Sequence, residues 1–343
     1  MNATVNVAAA NQDALAVTAE LARRLVEACI ERDKPVWLWG KPGIGKSQIV
    51  SQIALAHGAR LIDMRLSMRG AEDMLGVPFP DLVAKVTEWL PPAIWPRVEG
   101  EKVYIFFDEM DRAAAAVLNA ALQIVLDRKA GELQLPKSVR IIAAGNGSTD
   151  RVGTNKISSA LANRFTHIYM KPDAETLARY YMASGAPAVL PAFLRYRPNL
   201  VHGEAIQGEH GSPSSRAWST VADYLDLSDA IRGPLVRGTV GTGAGDEFEA
   251  FFRVFRELPP IASLIADPTG SDVPTRAGAV YAVASAIARV MDFGNVGNCI
   301  TYLDRLPVEF RIMAMKDATR RNPALKECQP VINWRVANQN VDL

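Results

Sequence analysis

A short apolar segment followed by a glycine-rich turn constrains this chain more than any other feature of its sequence. The segment, Val36–Trp39 (VWLW), has the wholly apolar character of strands in parallel sheets that are covered on both faces. The residues after it, Gly40–Ser47 (GKPGIGKS), match G-x-x-x-x-G-K-[ST] in full, and the pattern predicts a helix over Ser47–His57. This order predicts a phosphate-binding loop; the alternative is a glycine turn that binds nothing.

The residues of this turn have the chemistry that a nucleotide phosphate requires. Glycines let successive backbone N–H groups point at one anion, and the start of the following helix adds the positive end of its dipole. We expect Lys46 to reach the β- and γ-phosphates and the Ser47 hydroxyl to bind Mg²⁺. The predicted ATP contacts in this segment are Gly40, Pro42, Gly43, Ile44, Gly45, Lys46, Ser47 and Gln48.

Two later strands end in polar residues that would complete such a site. The segment Val103–Phe107 (VYIFF) is followed by Asp108, expected to contact the nucleotide and hold Mg²⁺, and by Glu109, expected to orient and deprotonate the attacking water. The strand VRIIAAG ends at Asn146, whose amide would hold that water against the γ-phosphate. Without the upstream turn, the acidic pair would indicate a solvated strand end and Asn146 the start of a turn.

The order of predicted elements indicates two domains. Strands and helices alternate up to about Lys171, which predicts a three-layer α/β domain with a parallel sheet over residues 1–171. Residues 172–343 are predicted to be a helical lid and a C-terminal helical region. The predicted helices of that second part are Ala174–Ser184, Pro213–Leu227, Glu247–Arg256 and Thr275–Val290. The glycine-rich segment Arg237–Asp246 is predicted to be a flexible loop.

Composition narrows the classes of function. Lys and Arg number 38 and Asp and Glu 37, a net charge of +1 that argues against a tail-driven nucleic-acid binder. The three cysteines lie far apart, as expected in a reducing cytosol rather than in a disulfide framework. The sequence has no long apolar run and no basic leader, so we expect a cytoplasmic protein without a membrane segment. Its histidines and cysteines lack metal-ligand spacing, so no structural zinc is expected.

The motifs together resemble an AAA+ ATPase and, within that superfamily, the MoxR group. The stretch Asp108–Leu126 (DEMDRAAAAVLNAALQIVL) is similar to the DE-x-x-R-A segment of that group and its following helix. The stretch Gly145–Phe165 (GNGSTDRVGTNKISSALANRF) is similar to its sensor-1 region, with an Asn, then Gly-Thr, then a Leu and an Arg-Phe. The resemblance covers roughly residues 36–170 and extends into the helical lid.

The resemblance also implies roles for individual residues. Lys46 and Ser47 match Walker A, Asp108 and Glu109 match Walker B, Asn146 matches sensor 1, and Arg112 matches a basic interface residue. Arg164 matches the arginine finger that reaches the nucleotide of a neighbouring subunit, with a surface salt bridge as the alternative. Ser212–Arg216 (SPSSR) resembles the start of the sensor-2 helix, which would bring Arg216 to the γ-phosphate in cis. The group more often has the arginine directly after Ser-Pro, and this chain has two extra serines.

Two segments match insertions of the MoxR group. Residues of about 65–97 lie where the group has its helix-2 insert, a loop that lines a central pore. In it, Trp89, Leu90, Ile94 and Trp95 would either form a hairpin that grips a polypeptide or pack locally. Residues of about 128–137 (RKAGELQLPK) are expected to form the hairpin before sensor 1.

The function implied by the resemblance is Mg²⁺-dependent ATP hydrolysis at the subunit interfaces of a homo-oligomeric ring, expected to be a hexamer. Such a ring would act as a chaperone-like remodeller of a protein substrate, often with a partner that carries a von Willebrand factor A domain. One alternative is an AAA+ motor or loader acting on nucleic acid, which the near-neutral charge opposes. Another is a nucleotide-gated scaffold, which the set of Glu109, Asn146 and Arg164 opposes.

Overall fold

A computed structural model of the protein describes residues 14–147, 157–204 and 206–338. The chain divides into two compact units, Met1–Pro172 and Asp173–Leu343. The first unit is an α/β unit with a parallel sheet, and the described part of the second unit contains helices and no strand. The predicted fold class is therefore confirmed.

The first unit is built on a five-stranded sheet with the order β2-β5-β8-β1-β9. All of its strand pairs are parallel. The strands are β1 (Val36–Trp39), β2 (Arg60–Arg65), β5 (Val103–Asp108), β8 (Arg140–Gly145) and β9 (Thr166–Tyr169). Because the strands are parallel, the carboxyl ends of β1, β5 and β8 lie at one edge of the sheet, and the polar residues after them meet there.

Side chains alternate between the two faces of this sheet and belong to two separate cores. Val36 and Leu38 pack in a core with α1 (Ala19–Glu31) and α2 (Lys46–Ala56). Trp37, between them, packs in the opposite core, which includes α4 (Ala115–Asp127). This division gives three layers and explains why β1 is wholly apolar.

Between β2 and β5 the chain forms a helical turn and a hairpin. Helix α3 (Glu72–Leu75) is followed by β3 (Val77–Asp81) and β4 (Val86–Leu90), which pair antiparallel. The hairpin is exposed along almost all of its length. Trp95 is separate from it: its ring is buried, and its Nε1 donates to the Met74 carbonyl at 2.7 Å.

A second, shorter hairpin follows α4. Its strands are β6 (Lys129–Ala130) and β7 (Leu133–Gln134), joined through Gly131, which has a φ of 62°. The short helix α5 (Ser159–Ala162) precedes β9, and the Ser158 hydroxyl accepts a hydrogen bond from the Leu161 N–H at its start.

The second unit contains two apolar cores. One is centred on the aromatic rings of Phe193, Trp218 and Phe248, and the other on Tyr302, Ile287 and Met315. Its helices are α6 (Ala174–Ala183), α7 (Val189–Tyr196), α8 (Ser215–Ala222), α9 (Asp229–Val240), α10 (Thr242–Arg256), α11 (Ile261–Ala266), α12 (Ala277–Val290), α13 (Val296–Leu303), α14 (Val308–Arg321) and α15 (Gln329–Ala337). In the part of the chain that the structure describes, no helix has both the length and the apolarity needed to cross a membrane.

The predicted flexible loop at Arg237–Asp246 is wrong. These residues belong to α9 and α10, which are separated only by Gly241 at a φ of 85°. A Cβ at Gly245 would lie 2.9 Å from the Cα of Arg237, so the two helices approach each other closely through glycine. The glycines therefore serve helix packing and a tight turn.

Candidate nucleotide-binding site

The glycine turn has the backbone conformation that a phosphate-binding loop needs. Gly45 lies in the left-handed region with a φ of 97°, and α2 begins at the next residue, Lys46. A residue with a Cβ would be strained there, which accounts for the glycine in the motif. The loop thus presents the N terminus of α2, with its positive dipole end, at the carboxyl edge of the sheet.

Lys46 connects the turn to the end of β8. Its side chain is almost fully buried, and its Nζ donates to the carbonyl oxygens of Gly40 at 2.6 Å and Lys41 at 3.2 Å. Nζ also donates to Oδ1 of Asn146 at 3.0 Å. These three hydrogen bonds fix the position of the ammonium group at the base of the loop. Lys46 and Asn146, which the sequence assigns to separate roles, are thus in direct contact.

Ser47 and Asp108 form an oxygen pair next to this lysine. The Ser47 hydroxyl donates to Oδ2 of Asp108 at 3.1 Å, and the Glu109 N–H donates to Oδ1 of Asp108 at 2.9 Å. Desolvation and the negative charge of Asp108 raise the pKa of Asp63 on β2, against the influence of Arg65. Hydroxyl and carboxylate oxygens are the ligands that Mg²⁺ prefers, so Ser47 and Asp108 fit the ion.

Glu109 lies beside them in an unusual backbone conformation. Its φ is 52°, in the left-handed region that non-glycine residues seldom adopt and that often marks functional sites. Its Oε2 accepts a short hydrogen bond from the Ser67 hydroxyl, and its Oε1 lies 3.6 Å from Nε of Arg65. The sequence did not predict these two partners, because nothing local marks the residues after β2.

Asn146 is held from a second side by a buried carboxylate. Its backbone N–H donates to Oδ2 of Asp111 at 2.9 Å, and Asp111 is only 2% exposed. Asp111 has no role predicted from the sequence, and its position three residues after Asp108 is the only local signal for one.

Comparison with known proteins agrees with this geometry. Residues 35–165 match the family AAA domain, dynein-related subfamily. The matched residues contain all of the contacts described above.

One curated relative and two solved structures were compared with the chain. Midasin of Giardia intestinalis is 30% identical over 146 residues, which are 40% of this chain and 3% of midasin. The RuvB Holliday junction branch migration motor of Thermotoga maritima is 15% identical, with 78% of this chain and 80% of that one covered, at a TM-score of 0.37. NtrX of Brucella abortus in complex with ADP is 13% identical, with 98% and 72% covered, at a TM-score of 0.34.

The remaining predicted residues of the loop occupy its surface or its base. Ile44 is buried and belongs to the core with α2, and Gly40 donates its N–H to the Gly145 carbonyl at 3.3 Å. Pro42 and Gln48 are exposed, and Gly43 has a φ of 74°. The Gly153–Thr154 pair of the sensor-1 resemblance lies outside the described residues.

Among the described residues, no hydrogen bond or ion pair joins Arg164 to the candidate nucleotide-binding site, and Arg216 belongs to the second unit. Arg164 follows α5 with an exposed side chain and has no ion-pair partner in the described parts of the chain. Arg216 is exposed at the second position of α8, in the other unit, and the Ser214 hydroxyl caps that helix by accepting from the Ala217 N–H. Arg112 ends the helical turn Met110–Arg112 and is half-buried.

A hydrogen-bonded chain leads from the start of the phosphate loop to the helix before Arg164. Nε1 of Trp39 donates to Nδ1 of His167 at 2.8 Å, so Nδ1 is an acceptor and the ring proton is on Nε2. Nε2 then donates to the Ala162 carbonyl at 2.9 Å. Trp39 and His167 also stack, with ring centroids 5.9 Å apart. The last residue of β1 is thus tied to the end of α5.

Proposed function

We propose that this protein hydrolyses ATP as a MoxR-like AAA+ ATPase and uses the energy to remodel a protein substrate. The observation that carries the ATPase part is the meeting of Lys46, Ser47, Asp108 and Asn146 at the carboxyl edge of the sheet, with Glu109 beside them. The DE-x-x-R-A segment and the insert between β2 and β5 support the MoxR-like grouping.

Each residue of the proposed ATPase site would have a different role in hydrolysis. Lys46 and the N–H groups of the turn would bind the β- and γ-phosphates, and Ser47 with Asp108 would hold Mg²⁺, which neutralises phosphate charge. Asn146 would position the attacking water. Glu109 would take a proton from that water, and to do so its carboxylate has to turn away from Ser67 and Arg65.

Two substitutions test the ATPase assignment. Lys46→Ala should abolish most ATP binding, because the phosphates lose the cation of the loop. Glu109→Gln should keep ATP binding and lower kcat by roughly 10²- to 10⁴-fold, the usual contribution of a general base. Lys137→Ala, an exposed lysine of the same unit, is the control and should change neither value. A Glu109→Gln protein with the wild-type rate would remove Glu109 from the chemistry.

We further propose that the active form is a homo-oligomeric ring, hexameric by resemblance, in which Arg164 serves the neighbouring subunit. Its exposed side chain, without an ion-pair partner among the described residues, supports this role. Arg164→Ala should lower kcat by roughly 10³- to 10⁵-fold. Mixing Arg164→Ala with Lys46→Ala subunits should restore part of the activity. At some interfaces a subunit with an intact phosphate loop then lies next to a subunit that still has Arg164.

The same mixing experiment tests Arg216. If Arg216 acts in cis from the lid, Arg216→Ala mixed with Lys46→Ala should restore less activity, because no subunit then has both groups. Mass measurement must first show that the variants assemble and exchange subunits. Rescue by Arg216→Ala alone would reverse the two assignments, and a fully active monomer would exclude Arg164 from catalysis.

The exposed hairpin supports a polypeptide rather than a nucleic acid as the substrate. At its tip, Leu82 is 84% exposed and Val83 is 94% exposed. Trp89 and Leu90, on β4, are 42% and 47% exposed, whereas Trp95 is fixed in the core. Exposed apolar side chains of this kind are typical of surfaces that bind protein. Of the four residues expected from the sequence to grip a polypeptide, we therefore keep Trp89 and Leu90 and leave out Ile94 and Trp95, which lie after the hairpin. Leu82 and Val83 at the tip are added to them.

The substrate class can be tested by stimulation of the ATPase. We expect an unfolded polypeptide, such as reduced and carboxymethylated α-lactalbumin, to raise the rate, and duplex DNA to leave it unchanged. Leu82→Ser with Val83→Ser should abolish that stimulation and keep the basal rate. Stimulation by DNA alone would favour the motor or loader. The von Willebrand factor A domain partner is proposed from the resemblance, and a gene for such a protein beside this one would favour it.

A further inference from the structure

Asp111 lies between two elements of the proposed ATPase site, and no role has been assigned to it. It is in the helical turn Met110–Arg112, directly after Asp108 and Glu109. Its carboxylate is 2% exposed, although burying a charged group without compensation is costly. Oδ2 accepts the Asn146 N–H at 2.9 Å, and Oδ1 has no hydrogen-bond partner among the described residues. Folding alone gives no reason for an acid here.

The absence of a side chain at Gly145 allows the Asp111 carboxylate to lie close to the backbone of β8. A Cβ at Gly145 would lie 3.0 Å from Cγ of Asp111 and 2.9 Å from the ring of Trp39. Contacts this short are rarely tolerated, so glycine before Asn146 is what lets the acid reach the backbone. The close contact therefore depends on two residues, Asp111 in the helical turn after β5 and Gly145 at the end of β8.

The hydrogen bond to Asp111 fixes the backbone of Asn146, and the position of that backbone determines where the side-chain amide points. Asn146 ends β8, and its side chain is oriented by only one described contact, the hydrogen bond from Lys46 to Oδ1. Fixing the N–H of the same residue restricts the backbone from which that side chain extends. Asp111, Asn146 and Lys46 thereby form a continuous path from the end of β5, through the end of β8, to the phosphate loop.

We propose that Asp111 is a positioning residue that holds Asn146 in the geometry required for ATP hydrolysis. It acts through Asn146 and touches neither phosphate nor water. The inference rests on the proposed ATPase function and names one more residue on which that function depends.

The test compares three substitutions at Asp111 and nearby. Asp111→Leu removes the acceptor, and we expect kcat to fall roughly ten- to hundredfold, the range for a hydrogen bond to a charged group. The KM for ATP should change by less than about threefold, because the loop contacts of Lys46 remain. Asp111→Asn keeps an acceptor oxygen of the same reach and should restore most of kcat. Asp127→Asn, an exposed acid at the end of α4, is the matched control.

A double-mutant cycle separates positioning from general structural damage. In an Asn146→Ala background, Asp111→Leu should lower kcat by less than about threefold further, because the amide that it positions is already gone. A purely structural role would give the same loss in both backgrounds. If Asp111→Leu does not fold, Gly145→Ala tests the same contact from the other side, since its Cβ displaces the carboxylate.

The outcomes distinguish this inference from the proposed function. A wild-type protein without ATPase activity overturns both. An active wild type with an equally active Asp111→Leu variant overturns only the positioning role. Equal losses in the Asn and Leu variants also overturn it, because the charge rather than the acceptor would then be what counts.

Discussion

Asp111 in the α/β unit and Asp317 in the helical unit are both almost fully buried, but they meet different partners. Asp317 accepts hydrogen bonds from both terminal nitrogens of Arg195, at 2.5 and 2.9 Å, and Arg195 also pairs with Glu175. Asp111 accepts one backbone N–H from Asn146. The first acid is enclosed by an opposite charge, and the second orients a neutral group at the proposed site. Burial alone therefore does not identify a functional acid; the partner does.

Arg232 shows the same principle in the helical unit. Its guanidinium group is 1% exposed, makes two hydrogen bonds to Glu249 at 2.8 and 2.9 Å, and lies 3.9 Å from the ring centroid of Phe252. The neighbouring carboxylates raise its pKa, with Glu249 the main cause. Its donors are thus used within the unit, which is the arrangement of a structural ion pair.

The largest effect expected from this comparison is on stability. Asp317→Ala should lower the free energy of unfolding by about 3–5 kcal/mol, because Arg195 stays buried with only the half-exposed Glu175 as counter-charge. Asp111→Leu should lower it by about 1–3 kcal/mol, the penalty for one unpaired backbone N–H. Urea denaturation followed by circular dichroism measures both. If the two variants lose equal free energies of unfolding, Asp111 and Asp317 do not differ in their contribution to stability.

A smaller change is expected when both members of the structural pair are replaced. Arg195→Met together with Asp317→Leu should leave the free energy of unfolding within about 2 kcal/mol of the wild type, because no uncompensated charge remains. The same denaturation experiment measures this value, and ATP affinity serves as the control that the α/β unit is intact. If the double variant is as unstable as Asp317→Ala, the loss of stability comes from losing the ion pair itself and not from leaving Arg195 buried without Asp317.

The smallest of the three effects concerns a neutral contact of the α/β unit. Trp39→Phe and His167→Phe, alone and together, should give a coupling free energy of about 0.5–1.5 kcal/mol, as for one uncharged hydrogen bond. Thermal unfolding of the four proteins provides the cycle. Coupling near zero would mean that stacking, rather than the bond from Nε1 to Nδ1, joins these two rings.

The centre of the site could be predicted because its determinants are local. Val36–Trp39 is an uninterrupted apolar strand, the glycine turn is defined by its spacing, and polar residues after parallel strands meet at one edge. Asp111, Ser67 and Arg65 escaped prediction because their contacts depend on how separate strand ends pack. No pattern in the chain distinguishes them from other polar residues in turns.

Helix packing was less predictable than the sheet. The glycines of Arg237–Asp246 resemble a flexible linker in composition, yet Gly245 lies against Arg237 where two helices cross closely. Several helices of the second unit, among them Val189–Tyr196 and Val308–Arg321, were not predicted. Val189–Tyr196 is short and contains Pro191, which argues against a helix in the sequence, and the apolar residues of Val308–Arg321 do not form one stripe.

The left-handed backbone of Glu109 has a consequence for directed evolution. The same conformation occurs at Lys85 in the hairpin turn, with φ values of 52° and 53°, and it destabilises a non-glycine residue by roughly 1–2 kcal/mol. Selecting a mutant library for heat resistance alone should therefore enrich glycine at both positions. Adding selection for ATP turnover should retain glutamate at position 109 while glycine still accumulates at position 85. A comparison of the variants enriched under the two selections would show that the backbone strain at Glu109 is kept for activity, whereas the strain at Lys85 is not.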